Sequence, residues 1–128
     1  MLHMSQEHVD AMNALLRDSE PVREACRRLP VPRTWSYRLT DGPDGQPVHW
    51  TVRFADTVEF SLERTAHADV VVAGDWARMM RTTKAGREGR ELDSGATLTG
   101  DWAVVAETGA VLEIARGVAT LPVEFPDC

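Results

Sequence analysis

Three stretches in the first half of the chain alternate between apolar and polar residues. Trp35, Tyr37 and Leu39 alternate with Ser36, Arg38 and Thr40. Val48, Trp50, Val52 and Phe54 alternate with His49, Thr51 and Arg53, and Val58, Phe60 and Leu62 alternate with Glu59, Ser61 and Glu63. A period of two puts all the apolar side chains of a stretch on one side of an extended strand. These segments therefore predict an antiparallel sheet covered on a single face. The loop Asp41–Gly45 and the turn Ala55–Thr57 carry the residues that hairpins use. Ala68–Ala73 is more uniformly apolar and predicts a fourth, more buried strand, and Ala96–Thr99 predicts a short fifth.

Helical spacing flanks the sheet on both sides. From Gln6 to Leu29 the residues Val9, Met12, Leu15, Leu16, Val22, Cys26 and Leu29 recur at the period of a helix. Pro21 is not tolerated in a helix interior, so the segment splits near residue 18, with Asp18 or Ser19 capping a second helix that carries Pro21 in its first turn. Pro30-Val31-Pro32 ends the helical region.

The tripeptide Gly-Asp-Trp then occurs twice, at Gly74–Trp76 and at Gly100–Trp102, each time between a strand-like and a helix-like stretch. Glycine permits the change of direction, the Asp carboxylate accepts from free N–H groups of the first helical turn, and Trp puts a large apolar surface on that turn. The first junction predicts a helix with Trp76, Met79, Met80 and Thr83 on one face, closed by Lys84 and Gly86. The second predicts a helix over Asp101–Arg116 with Trp102, Val105, Ala106, Gly109 and Leu112 on its face, stopped by Gly117. Gly109 costs that helix about 1 kcal/mol and marks a point where it could break. Arg87–Gly95 is charged and bounded by glycine, hence a loop or a weak helix. The flanks of the two tripeptides do not match, so there is no internal repeat.

Composition narrows the classes. A chain of 128 residues, 43% hydrophobic and 27% charged, reads as one globular domain over 1–128, with its core over about 6–116 and an irregular tail over 117–128. The net charge of −6 argues against a nucleic-acid partner. No apolar run approaches the roughly 18 residues of a membrane span, and the polar start lacks a signal-peptide core, so integral membrane association is not expected and a cytoplasmic location is. Cys26 in a helical stretch and Cys128 at the last position make a weak disulfide pair, which fits a reducing setting.

Taken as an ordered set, these elements resemble the sterol carrier protein type 2 family of lipid-binding domains, in the form of a bacterial stand-alone member. Leu15–Ala25 is similar to the jointed N-terminal helix of bacterial members, and Trp35–Leu39 with Asp41-Gly42 to the first hairpin. Ala68–Val72, the helix from Trp76, and Ala96–Asp101 with its helix are similar to the second half. The resemblance covers roughly Gln6 to Arg116. It implies an α+β fold, a sheet of about five mostly antiparallel strands with helices on one face, and an apolar cavity between the layers for sterols, fatty acids or acyl-CoA. The charged Thr82–Ser94 segment and Gly109 in the last helix depart from the family pattern.

The residues expected to line such a cavity are Trp50, Val52, Phe60, Leu62, Trp76, Met79, Met80, Leu98, Trp102 and Val105. Methionine adapts to varied apolar shapes, which suits a cavity wall, although the same residues serve equally as ordinary core. Nothing points to catalysis, a metal or a cofactor. His3 and His8 are five apart, on different faces of a helix, so they make a poor metal pair. His49 falls on the polar sheet face, and His67 lies just before a strand. Asp75 and Asp101 read as helix caps, and Asp69 as a strand-edge residue. Gly86–Arg90 lacks the lysine and hydroxyl of a phosphate loop, though Arg87 and Arg90 could meet an acidic headgroup if a mouth opened there.

The expected function is therefore a carrier that binds a hydrophobic or amphipathic small molecule (an acyl chain, a sterol-like or a polyketide-like compound). Two alternatives remain open. One is an enzyme of secondary metabolism using the same cavity. The other is a filled-core module that binds another protein. A homodimer is compatible with each reading.

Overall fold

A computed structural model describes residues 1–128. The jointed N-terminal segment forms α1 (Gln6–Arg17) and α2 (Glu20–Arg27). Ser5 caps α1, its hydroxyl accepting the His8 N–H at 3.2 Å, and Ser19 caps α2 in the same way through Val22 at 3.4 Å. Pro21 sits in the first turn of α2, where its missing N–H costs nothing. Five strands follow: β1 (Arg33–Thr40), β2 (Val48–Phe54), β3 (Val58–Ser61), β4 (Val70–Asp75) and, after helix α3 (Trp76–Arg87), β5 (Thr97–Gly100). Helix α4 (Trp102–Val118) closes the order.

The sheet runs β3-β2-β1-β4-β5. β1 lies at its centre, antiparallel to β2 and parallel to β4, and the two outer pairs are antiparallel. The sheet is mixed but mostly antiparallel, and the fold is α+β. In the register Trp35 faces Val52, which faces Phe60, while Tyr37 faces Trp50. Cross-strand partners share a face, so one side of the sheet carries these aromatics. They cluster with Val9, Met12 and Leu16 of α1, Val22 and Cys26 of α2, Met80 of α3 and Val111, Leu112 and Ala115 of α4. Removing a side chain such as Leu16 or Phe54 from water is worth about 1.5–3 kcal/mol each, which makes this layer contact the main adhesive of the fold.

Side chains pin the layers in register. Asn13 of α1 grips the main chain of edge strand β3 from both sides, donating to the Phe60 carbonyl and accepting the Phe60 N–H, each at 2.8 Å. The Trp35 indole N–H donates to Thr108 Oγ1 of α4 at 2.8 Å in the buried interior. Arg116 donates to the Tyr37 hydroxyl at 3.1 Å, and Arg33 pairs with Glu107 at 3.0 Å.

The two Gly-Asp-Trp junctions behave as capped helix starts. Asp75 accepts the Arg78 N–H at 2.9 Å and Asp101 the Ala103 N–H at 2.8 Å. At Gly100 φ is +146°, and a Cβ there would lie 2.5 Å from the Asp69 carbonyl oxygen, so only glycine fits. At Gly74 a Cβ would press on Ala96 of the neighbouring segment at 3.2 Å.

Helix α4 departs from the expected face. Its buried residues are Val104, Thr108, Val111, Leu112 and Ala115, whereas Trp102 is 71% exposed and Ala106 is exposed. The helix is apolar around most of its circumference, so the periodicity of its apolar residues does not fix the buried face. That face is fixed by Thr108, which supplies the acceptor that the buried Trp35 N–H requires. The helix also runs unbroken through Gly109 and past Gly117 to Val118. Arg87 closes α3, and residues 88–96 form the loop.

Candidate functional site

The sheet is notched at one edge because β2 is longer than its neighbour. The last β2–β3 pair is Thr51 with Ser61, so Val48, His49 and Trp50 extend beyond the end of β3. The notch opens into a cleft of about 500 Å³ lined by 14 residues. Val48, His49 and Trp50 of β2 form one wall, with Leu62 and Arg64 beyond the end of β3. Trp76 and Met80 of α3 form another, and Pro43 and Pro47 of the hairpin close one side. Leu2–Ser5 and Pro126 complete the lining.

The N-terminal segment is held in this position by the C-terminal tail. Leu2 forms a parallel bridge with Glu124, in which the His3 N–H donates to the Glu124 carbonyl at 2.8 Å and the Glu124 N–H to the Met1 carbonyl at 2.9 Å. The His3 ring stacks on Phe125 with centroids 4.8 Å apart and meets Trp50 edge-on at 6.2 Å. Arg87, at the end of α3, lies over Phe125 and donates to the Leu121 carbonyl at 2.6 Å. It therefore anchors the tail instead of standing free at a mouth, and Arg90 pairs with Glu88.

His3 and His8 do not share a helix. Ser5 caps α1, so His3 precedes the helix and folds back until its ring centroid is 5.3 Å from that of His8. Burial lowers the His3 pKa from 6.5 to about 4, helped by repulsion from a protonated His8 and from Arg87. His8 is lowered for the same first reason, then by Arg87 and the terminal ammonium. Both imidazoles are thus neutral at neutral pH. His49, on the face of β2 opposite Trp50, is half-buried and also lines the cleft.

The charge of the lining contrasts with that of the chain. Its titratable side chains are His3, His49 and Arg64, and no carboxylate lines the cleft although the net charge is −6. Arg64 makes no ion pair. A second cleft of about 360 Å³ lies between α2 and the residues before β1, with Arg23 and Arg27 in its wall. Their guanidiniums are held by Glu20 and Glu24, which leaves that groove little to offer a ligand.

Of the ten residues expected to line a cavity, the cleft gathers Trp50, Leu62, Trp76 and Met80. Val52 is fully packed in the core, and Phe60, Met79, Leu98 and Val105 are partly buried against it. Trp102 projects into solvent from the first turn of α4. The open space lies at the rim of the two layers, and the region beneath β1 is filled by Trp35, Tyr37 and their helical partners.

The fold, though not the cleft, can be set beside known proteins. No protein-family model matches the chain, and no curated protein matches it either. Solved structures do. A structure described as sterol carrier protein 2 superposes with a TM-score of 0.58 at 18% identity, covering 90% of this chain and 95% of that one. The chain has the sterol carrier protein 2 fold. A Thermus thermophilus protein described as possibly a sterol carrier protein gives 0.54 at 19% identity, over 95% and 93% of the two chains. A structure described as "UbiJ-SCP2 Ubiquinone synthesis protein" gives 0.50 at 19%, over 84% and 90%. Within this fold, the sequence pattern did not reveal the parts of the cleft that come from the termini. Leu2, His3 and Met4 carry no periodic signal of their own.

Proposed function

We propose that the chain is a carrier that shelters a hydrophobic or amphipathic small molecule in the cleft beside Trp50, Leu62, Trp76 and Met80. The observation that carries this reading is the lining itself, mostly apolar and aromatic, free of carboxylates in an acidic protein, with Arg64 unpaired. Its volume of about 500 Å³ falls within the ordinary range for small-molecule sites. The names of the structures that share the fold, sterol carrier protein and ubiquinone synthesis protein, support an apolar cargo.

Burial supplies the affinity. Ten methylene groups withdrawn from water contribute roughly 8 kcal/mol, which corresponds to a dissociation constant near micromolar before the costs of association weaken it. Such an affinity suits a carrier that releases what it holds. The absence of an acid–base pair among the lining residues favours binding over turnover.

A fluorescent fatty acid tests the reading. Saturable binding with quenching of tryptophan emission is expected, weakened severalfold by Leu62→Asp or Trp76→Ala and unaffected by Trp102→Ser on the exposed turn. Failure of every acyl, sterol and polycyclic compound to displace the probe would favour a filled-core interaction module instead.

A further inference from the structure

The wall of the cleft that comes from the N-terminus, Leu2–Ser5, bends at Met4 and is pinned by a side chain of the helix that follows it. Met4 has a φ of +57°, a left-handed conformation that costs energy for any residue but glycine. Its N–H donates at 2.9 Å to Nδ1 of His8, a fully buried residue in the first turn of α1. We propose that His8 is the catch of an acid-opened strap, in which protonation of its ring unfastens residues 1–5 and opens the wall of the cleft. The movement of the strap is a property of these residues alone, and its use in unloading a ligand rests on the carrier reading.

The catch works through one proton. With the strap closed, the lone pair of His8 Nδ1 is taken by the Met4 N–H. An imidazolium carries a hydrogen on both nitrogens, so Nδ1 would meet that N–H as a second donor, and Met4 would lose the bond that holds its left-handed turn. The other nitrogen gives the charge no relief, because Nε2 is buried without a partner. The surrounding charges act in the same sense. The His3 ring stands 5.3 Å from that of His8, and the terminal ammonium of the strap and Arg87 at the end of α3 both repel a positive ring. Glu7 and Asp10 on α1 and Glu124 and Asp127 on the tail are exposed, and none of them pairs with either imidazole. His49 and Arg64, which line the same cleft, add no negative charge.

Acid therefore favours the open strap. Burial holds His8 below 6.5 and His3 at about 4 while the strap is closed, and rings released into water return towards 6.5. The open form binds protons more tightly, so each unit of pH below 6.5 raises the ratio of open to closed by up to about tenfold for each ring released. The strap has little else to hold it. Two main-chain bonds join it to Glu124, and the His3 ring stacks on Phe125. Helix α1 is fixed separately, through Val9, Met12 and Leu16 in the core. A segment with so few fastenings opens at a smaller free energy than the whole fold, so the strap parts while the sheet stays intact.

The experiment is an NMR titration of the wild-type protein from pH 7 to pH 4.5, which needs neither a ligand nor a variant. The amide signals of His3, Met4 and Glu124 should shift with the same midpoint as the His8 imidazole nitrogens, while those of Val52 and Phe54 in the sheet stay in place. His8→Asn puts a non-titrating carbonyl oxygen near the position of Nδ1, and its strap signals should not move over this range. Strap signals that stay fixed while His8 titrates, or strap and sheet signals lost at one midpoint, would overturn the catch. Unloading is read from the dissociation rate of N-phenyl-1-naphthylamine, a fluorescent apolar probe that is uncharged throughout the range. The rate should rise about tenfold between pH 7 and pH 5 in the wild type and less than twofold in His8→Asn. An equal rise in both proteins would overturn the role of His8 in release. Failure of the probe to bind at pH 7 would count against the carrier reading, and the amide shifts would still decide the strap.

Discussion

Replacing Thr108 by Val tests whether the bond between Trp35 and α4 holds the helical layer to the sheet. The two side chains are nearly the same size, so the exchange removes one hydroxyl and leaves no appreciable cavity. Thr108 is fully buried and Trp35 is 5% exposed, so no water can replace the lost acceptor. The indole N–H, bonded at 2.8 Å in the native protein, would be left buried and unpaired. That costs about 1–3 kcal/mol. The hydroxyl's own desolvation and its second bond, to the Val104 carbonyl, disappear with it and offset a part. A net loss of about 2 kcal/mol is expected, which for a domain of this size is a fall of roughly 8 °C in Tm. Urea titration followed by tryptophan fluorescence measures it, with an unchanged m-value showing that the denatured state is unaffected. Trp35→Phe and the double variant complete a cycle, in which a coupling energy of about 1 kcal/mol or more is expected. A Thr108→Val protein within 0.5 kcal/mol of wild type, or a cycle that adds without coupling, would refute the reasoning.

Two further outcomes follow from other parts of the molecule. Asp75→Ala and Asp101→Ala each remove a helix cap and should each destabilise the protein by about 1 kcal/mol in urea titrations, with probe binding preserved; lost binding at unchanged stability would mean that these carboxylates meet the ligand. The folded-state pKa values of His3 and His8 lie below the unfolded value of 6.5, so the unfolded chain binds more protons as the medium is acidified. Stability contributed by the neutral rings is complete above that value and is lost as pH falls from about 6.5 towards about 4. Melting temperatures across this window should decline, and the decline should be shallower in His3→Phe.

The sequence by itself determined the strands and the helix starts, because both are local. Alternation at Trp35–Leu39, Val48–Phe54 and Val58–Leu62 put the aromatics on one face, and a strand's period of two leaves no second solution. Ser19, Asp75 and Asp101 announced helix starts because a cap is an interaction across only two or three residues. The order of these elements was also enough for the likeness to a known fold to be noticed. Four of the ten expected lining residues meet in the cleft because Trp50, Leu62, Trp76 and Met80 lie where strand ends meet the start of α3.

What only the tertiary structure decided depends on partners far apart in the chain. The buried face of α4 is set by Thr108, a polar residue that an apolar pattern passes over, and by an indole 73 positions away. Trp102, the largest apolar residue of that helix, is consequently turned to solvent. The cleft wall built from Leu2, His3 and Met4 depends on pairing with Glu124 and stacking on Phe125, at the other end of the chain. The lowered pKa values of His3 and His8 are likewise chiefly a product of burial, to which Arg87 from the end of α3 adds. Periodicity reports which side of an element is apolar. Only the packed structure assigns partners to the polar atoms that burial leaves without water.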